Sequence, residues 1–156
     1  MKTLQMIALA AALSLPVMAA MSRAVQAEPR DHTMHVYKTP WCGCCTAWAE
    51  HMGRLGYKFE ITELKDLAPV RKQAGVPDEV QGCHTAAVGG YAIEGHVPPE
   101  AIDKLLSERP KIRGIAVPGM PMGSVGMGND PGARYDVITF GAGTAEGSTV
   151  YYQAGR

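Results

Sequence analysis

Trp41-Cys42-Gly43-Cys44-Cys45 is the stretch whose reading decides the rest of the chain. It brings three of the four cysteines within four residues, a density that chance placement rarely produces. It also lies between two recognisable elements. Met34 to Thr39 alternates weakly and stops at Pro40, as a short strand does. From Cys44 onward, Cys45, Trp48, Ala49, Met52 and Leu55 recur at the spacing of one buried helical face, and Gly56 suits a left-handed C-terminal cap. The cysteines therefore occupy a strand-to-helix turn, with Cys44 and Cys45 opening the helix.

Working outward, Tyr57 to Leu64 alternates Tyr57, Phe59 and Ile61 against polar neighbours and reads as a second strand. Asp66 can cap a helix running to Ala74, stopped by Gly75 and Pro77. Thr85 to Ile93 is small and apolar and is broken at Gly89-Gly90, the pattern of a hairpin. Pro98-Pro99 opens a helix with Ile102, Leu105 and Leu106 inward, and Pro110 ends it. Val117 to Gly128 is a Gly/Pro loop with three methionines and no period, and Tyr135 to Phe140 with Thr149 to Gln153 reads as an added C-terminal β-hairpin at the sheet edge. The class is α/β, and the order strand, helix, strand, helix, hairpin, helix resembles a thioredoxin-like fold. In that fold a CxxC opens the first helix and the loop before the third strand lies against it. The matching loop here is Gly82-Cys83-His84-Thr85, which brings Cys83 to the other three cysteines although it lies far from Cys45 in the sequence.

Residues 1–27 read as an export signal: Lys2, an apolar run from Met6 to Ala20, then the small-residue site Val25-Gln26-Ala27. That run is shorter than the roughly 20 residues of a membrane span, so no stable membrane anchor is expected. Residues 28–156 then form a single domain. Removing Lys2 and Arg23 leaves 13 basic against 15 acidic side chains, a formal charge of −2, which offers no basic excess for nucleic acid. Export also places the thiols where disulfides form.

A thiol is a ligand or nucleophile only as thiolate, and a helix N-terminus favours that form for Cys44 and Cys45. Cys42 and Cys45 have the spacing of either a reversible disulfide or a metal site. Successive helical residues project about 100° apart, so Cys44 and Cys45 do not readily close on one ion together with Cys42. Bridging thiolates in a polynuclear copper(I) core meet that geometry better than one tetrahedral zinc set. Four of the nine methionines fall in the signal. Met120, Met122 and Met127 answer no apolar period and read equally as thioether donors or as gap-fillers under the loop. His84, beside Cys83, reads as a ligand, an outer partner of the site or a plain loop contact. His32 and His35 offer weak copper(II) capture near the start of the exported chain, and His51 and His96 receive no role.

Trp41-Cys42-Gly43-Cys44-Cys45, Gly82-Cys83-His84-Thr85, Gly90-Tyr91, Glu94-Gly95-His96-Val97-Pro98 and Val117-Pro118-Gly119-Met120-Pro121 together resemble the CopG-type periplasmic copper-resistance proteins. The resemblance implies a thioredoxin-like exported domain with a thiolate-bridged multi-copper Cu(I) cluster held by Cys42, Cys44, Cys45 and Cys83. Met120 and Met127 match that family's methionine loop, and Val125 stands where its pattern has proline. It further implies periplasmic localisation, a role in copper resistance with Cu(I)/Cu(II) interconversion (a candidate copper oxidoreductase), and exchange with other periplasmic copper-handling proteins. Oxidation would join the cysteines as disulfides, with Cys42 or Cys45 among the partners, and reduction would free four thiolates. Silver shares copper(I)'s softness and is an alternative ion. Two other classes stay open: a thiol–disulfide oxidoreductase acting on protein substrates through Cys42 and Cys45, and an inert module stapled by two structural disulfides.

Overall fold

The computed structural model describes residues 33–141 and 148–155. The expected signal, residues 1–27, lies outside the described residues, as do His32 and most of the loop between the last two expected strands.

Among the described residues the chain forms β1 (Thr33–Lys38), α1 (Gly43–Arg54), β2 (Lys58–Glu63), α2 (Ala68–Ala74), β3 (His84–Val88), β4 (Tyr91–Glu94), α3 (Pro99–Glu108), β5 (Gly114–Ala116), β6 (Tyr135–Phe140) and β7 (Val150–Ala154). A short 3-10 turn, Asp78–Val80, precedes β3. The seven strands make one sheet in the order β2-β1-β3-β4-β5-β6-β7. β1 runs parallel to β2 and β4 parallel to β5, and the other neighbours are antiparallel. This is a mixed α/β architecture with every expected element in place and one unexpected strand. β5 is three residues long, too short to show a period, and it lies inside the sheet between β4 and β6. Through it the C-terminal hairpin joins the sheet.

Alternation along the strands builds a core on each face. On one face Met34, Val36, Ala86, Val88, Ile93, Ile115 and Val137 meet α1 through Trp48, Ala49 and Met52, and α3 through Ala101, Ile102 and Leu105. On the other, Ala92, Ala116 and Phe140 pack with Val76 and Val80 in a smaller cluster. Trp48, fully buried, donates from Nε1 to the Val97 carbonyl at 2.8 Å and so ties α1 to the segment between β4 and α3. The N-cap of α2 is Leu67 rather than Asp66, which lies one residue earlier and accepts at Oδ1 from the Ala68 N–H at 2.9 Å.

The β3–β4 hairpin fixes the register that matters most. Val88 pairs with Tyr91 and Thr85 with Glu94 across the Gly89-Gly90 turn. Continued past the strand ends, that register sets Cys83 opposite His96. The backbones close up there. A Cβ on Gly82 would lie 2.5 Å from the Gly95 Cα, and one on Gly95 would strike the Val117 carbonyl. Both glycines are required by this approach, and Gly82 also bridges to Gly119.

Candidate metal centre

The four sulfurs of Cys42, Cys44, Cys45 and Cys83 lie within 4.8 Å of one another. α1 begins at Gly43, so Cys44 and Cys45 sit in its first turn and Cys42 at its N-cap. Cys42 and Cys45 are joined as a disulfide, their Cα atoms 5.4 Å apart. Cys44 and Cys83 are free thiols, and Cys44 Sγ stands 3.5 Å from Cys42 Sγ. Cys45 is fully buried with its sulfur 3.6 Å from the Cys83 carbonyl, which presses the loop before β3 against the start of α1.

Cys83 has two further neighbours. Its Sγ is 2.7 Å from His96 Nε2 and 3.6 Å from His84 Nδ1. Cys45, Cys83, His84 and His96 also offer donor atoms within 4.8 Å of one another. His96 Nδ1 donates to the Val125 carbonyl at 2.5 Å, because a carbonyl can only accept. The proton is thereby fixed on Nδ1, and the Nε2 lone pair faces Cys83. His84 is fully buried against the Trp48 ring, centroids 4.4 Å apart, and its Nε2 has no hydrogen-bond partner among the described residues. Burial, reinforced by His96 and Arg71, pushes the His84 imidazole down to about 3, and burial also lowers His96, so both rings are neutral at pH 7. Burial first, and then the neighbouring Cys44, pushes the Cys83 thiol up to about 12.

An ion pair behind the site holds the Cys83 loop in place. Glu94, fully buried at the end of β4, accepts from the Gly82 N–H at 2.9 Å, from Thr85 Oγ1 at 2.6 Å and from Arg71 Nε at 3.0 Å. Arg71, on α2, donates to the Gly82 carbonyl at 2.6 Å and to Gln81 Oε1 at 3.3 Å. Burial raises the Glu94 carboxyl above its ordinary value, against the pull of Thr85, Arg71 and Gly82 in the other direction. Both flanks of Cys83 are thus fastened by charge-assisted bonds.

Of the sequence-predicted site residues, the four cysteines converge. Met120 follows Gly119, whose backbone bridges to Gly82, so it lies on the loop beside Cys83, and 54 % of its surface is exposed. Met122 is exposed and Met127 half-buried in the same loop. Sequence reasoning left His96 without a role. The signal for it was present, since pairing outward from a two-residue Gly89-Gly90 turn places His96 across from Cys83.

A family profile described as a protein of unknown function, DUF411, matches residues 80–127, which span the Cys83 loop, β3, β4, α3, β5 and most of the methionine loop. Two solved structures are similar over most of the chain, both titled copper resistance protein copG. Form 1 is 35% identical, covering 78% of this chain and 95% of that one with a TM-score of 0.69. Form 2 is 35% identical, covering 81% and 98%, with a TM-score of 0.70. The chain belongs to the CopG copper-resistance family. No curated protein matches it. As a CopG-family fold it carries a cysteine cluster compatible with metal binding, set at the junction of α1, the loop before β3 and the methionine loop.

Proposed function

We propose that this CopG-family chain is a periplasmic copper-binding protein that contributes to copper resistance by holding several Cu(I) ions on Cys42, Cys44, Cys45 and Cys83. The observation that carries this reading is the convergence of four sulfurs within 4.8 Å from two segments distant in sequence, with two of them already paired as a disulfide. A lone disulfide needs no second pair of thiols beside it. Soft, low-coordinate copper(I) uses bridging thiolates, and Ag(I) would enter the same donors. Met120 supplies a thioether at the rim. Residues 1–27 act as the export signal and residues 28–156 as one thioredoxin-like domain, a reading supported by the β2-β1-β3-β4 order and by a CxxC at the start of α1.

The chemistry balances as a two-electron cycle. An external thiol or dithiol reductant supplies two electrons and two protons to the Cys42–Cys45 disulfide and yields two thiols, completing a set of four. In the other direction, two Cu(II) ions each accept one electron from that thiol pair, giving two Cu(I), one disulfide and two released protons. Cu(I)/Cu(II) interconversion and cargo loading would thereby share one pair of sulfurs, with copper or its transfer partners as substrate.

Anaerobic Cu(I) titration of the fully reduced chain, read by native mass spectrometry, tests this. Uptake of several coppers that falls in Cys83→Ser is expected. Unchanged stoichiometry in that variant would remove Cys83 from the cluster. The observed Cys42–Cys45 disulfide favours a second reading, protein thiol–disulfide exchange. An insulin-reduction rate like thioredoxin's in a Cys44→Ser/Cys83→Ser chain would support it.

A further inference from the structure

We propose that the cavity between the start of α3, the methionine loop and the β6–β7 hairpin binds an alkylguanidinium group, carried by a small molecule or by an arginine side chain. No cysteine lines this cavity, nor does His84 or His96, and the inference does not depend on copper.

The space measures about 390 Å³, and its walls come from separate segments. Pro98 and Glu100 belong to the opening of α3, Asp130 and Pro131 to the loop, Tyr135 to β6 and Tyr152 to β7. Such a volume suits a small organic group, and the proline and tyrosine faces favour one with an apolar body. Gly123 keeps the loop drawn in, since a Cβ there would lie 2.7 Å from the Ala133 Cβ. Two carboxylates line the space, no lysine or arginine does, and His51 is the one base. Among the described residues neither carboxylate forms an ion pair. Glu100 stands close to the rings: burial pushes the Tyr135 hydroxyl up to about 12, and Glu100 and Tyr152 add to that rise.

The tyrosines decide the class of ligand. Two others in this chain already carry a cation of their own: Arg109 stands 5.1 Å from the Tyr91 ring centroid, and Lys104 4.4 Å from that of Tyr151. Tyr135 and Tyr152 line the cavity with no such cation among the described residues. A ring face attracts a cation, and a guanidinium, planar and weakly hydrated, both stacks on the ring and forks onto a carboxylate. Its alkyl stem would lie along the prolines. A metal ion fits less well, because Glu100, Asp130 and His51 do not gather donor atoms within 4.8 Å of one another. Each acid has a local duty as well. Glu100 suits the N-terminal end of α3, and Asp130 Oδ1 accepts from the Gly132 N–H at 2.8 Å. Neither duty requires that both acids share one aromatic cavity without a counter-charge.

The probe is n-butylguanidinium, titrated at fixed ionic strength into the full exported chain and followed by the backbone amide NMR shifts of Glu100, Asp130, Tyr135 and Tyr152. Saturable shifts at these amides are expected, with neutral n-butylurea of the same shape binding about tenfold more weakly or worse. Glu100→Gln with Asp130→Asn should weaken binding by about tenfold, while the asparagine keeps the oxygen that Gly132 needs. Equal binding of butylurea, shifts scattered away from the cavity, or an unaffected double variant would each overturn the proposal. Should the double variant melt early, Tyr152→Phe and Tyr152→Leu give a second check. The phenylalanine keeps the ring and the affinity, and the leucine should lose about threefold or more. Equal affinity in these two also overturns it. A blocked Gly-Arg-Gly peptide separates the sources. The same amide shifts with affinity within about threefold assign the cavity to a partner's arginine, and binding of butylguanidinium alone assigns it to a free small guanidine.

Discussion

The two sources of sulfur are built in opposite ways. The CxCC turn is contiguous: three cysteines follow one another at the mouth of α1, Cys42 and Cys44 are half-exposed, and the disulfide is local. The Cys83 side is assembled from separate segments. Its thiol comes from the loop before β3, its imidazoles from β3 and from just beyond β4, its anchors from α2 and β4, and a carbonyl from the methionine loop. The contiguous half needs only the opening turn of α1 to bring its sulfurs together. The assembled half is pre-positioned, and its chemistry depends on packing far from it in sequence.

The widest contrast should appear in thiol reactivity. With the Cys83 thiol pushed up to about 12, its thiolate fraction grows with every pH unit below that value. Alkylation of Cys83 in the metal-free protein should therefore accelerate about tenfold per pH unit, or about a thousandfold from pH 7 to 10, as followed by mass spectrometry of the labelled peptide. A plateau near pH 8 would mean that the thiol is not held neutral by burial.

Next in size is the anchor. Arg71→Met leaves Glu94 buried without its cation and should cost about 3–5 kcal/mol in denaturant unfolding, with no comparable effect expected from altering the rim of the CxCC turn. The pH dependence has a definite sign. A carboxyl raised on folding stabilises the fold below its unfolded value and loses that contribution as pH rises through the folded one. The variant's deficit should therefore shrink as the pH is lowered from 7 and Glu94 takes up a proton. A deficit that stayed constant in acid would show that Glu94 remains a carboxylate throughout.

The smallest effect sharpens the same contrast. Val125→Ala should cost about 1 kcal/mol in packing. The orientation of His96 should be kept, since its partner is the main-chain carbonyl of residue 125, and copper uptake should stay within about twofold of wild type by native mass spectrometry.

These regions also differed in how far the sequence revealed them. The strand-to-helix placement of Cys42 to Cys45 follows from local signals, Pro40 behind and a Trp48, Ala49, Met52 stripe ahead, and both elements form there. The approach of Cys83 was visible through the order of elements. β5 was not, because Gly114-Ile115-Ala116 is short and takes its strand character from its neighbours β4 and β6. The Arg71–Glu94 pair was equally hidden. One residue sits on a short helix that buries no side chain fully and the other ends a hairpin, and no periodicity links positions 23 apart. His96 lay between these cases: hairpin register implied its place, whereas its tautomer depended on a loop carbonyl with no sequence signature.

That carbonyl belongs to the main chain. Every residue type carries one, so inherited drift at position 125 can change the side chain and leave the orientation of His96 untouched. The constraint passes instead to whatever sets the loop's path. Gly126 adopts φ 84°, and a Cβ there would lie 2.6 Å from the Cys44 carbonyl at the opening of α1. Among diverged copies of this chain, the glycine beside the acceptor should be the better record of ancestry, although it offers the metal no atom at all.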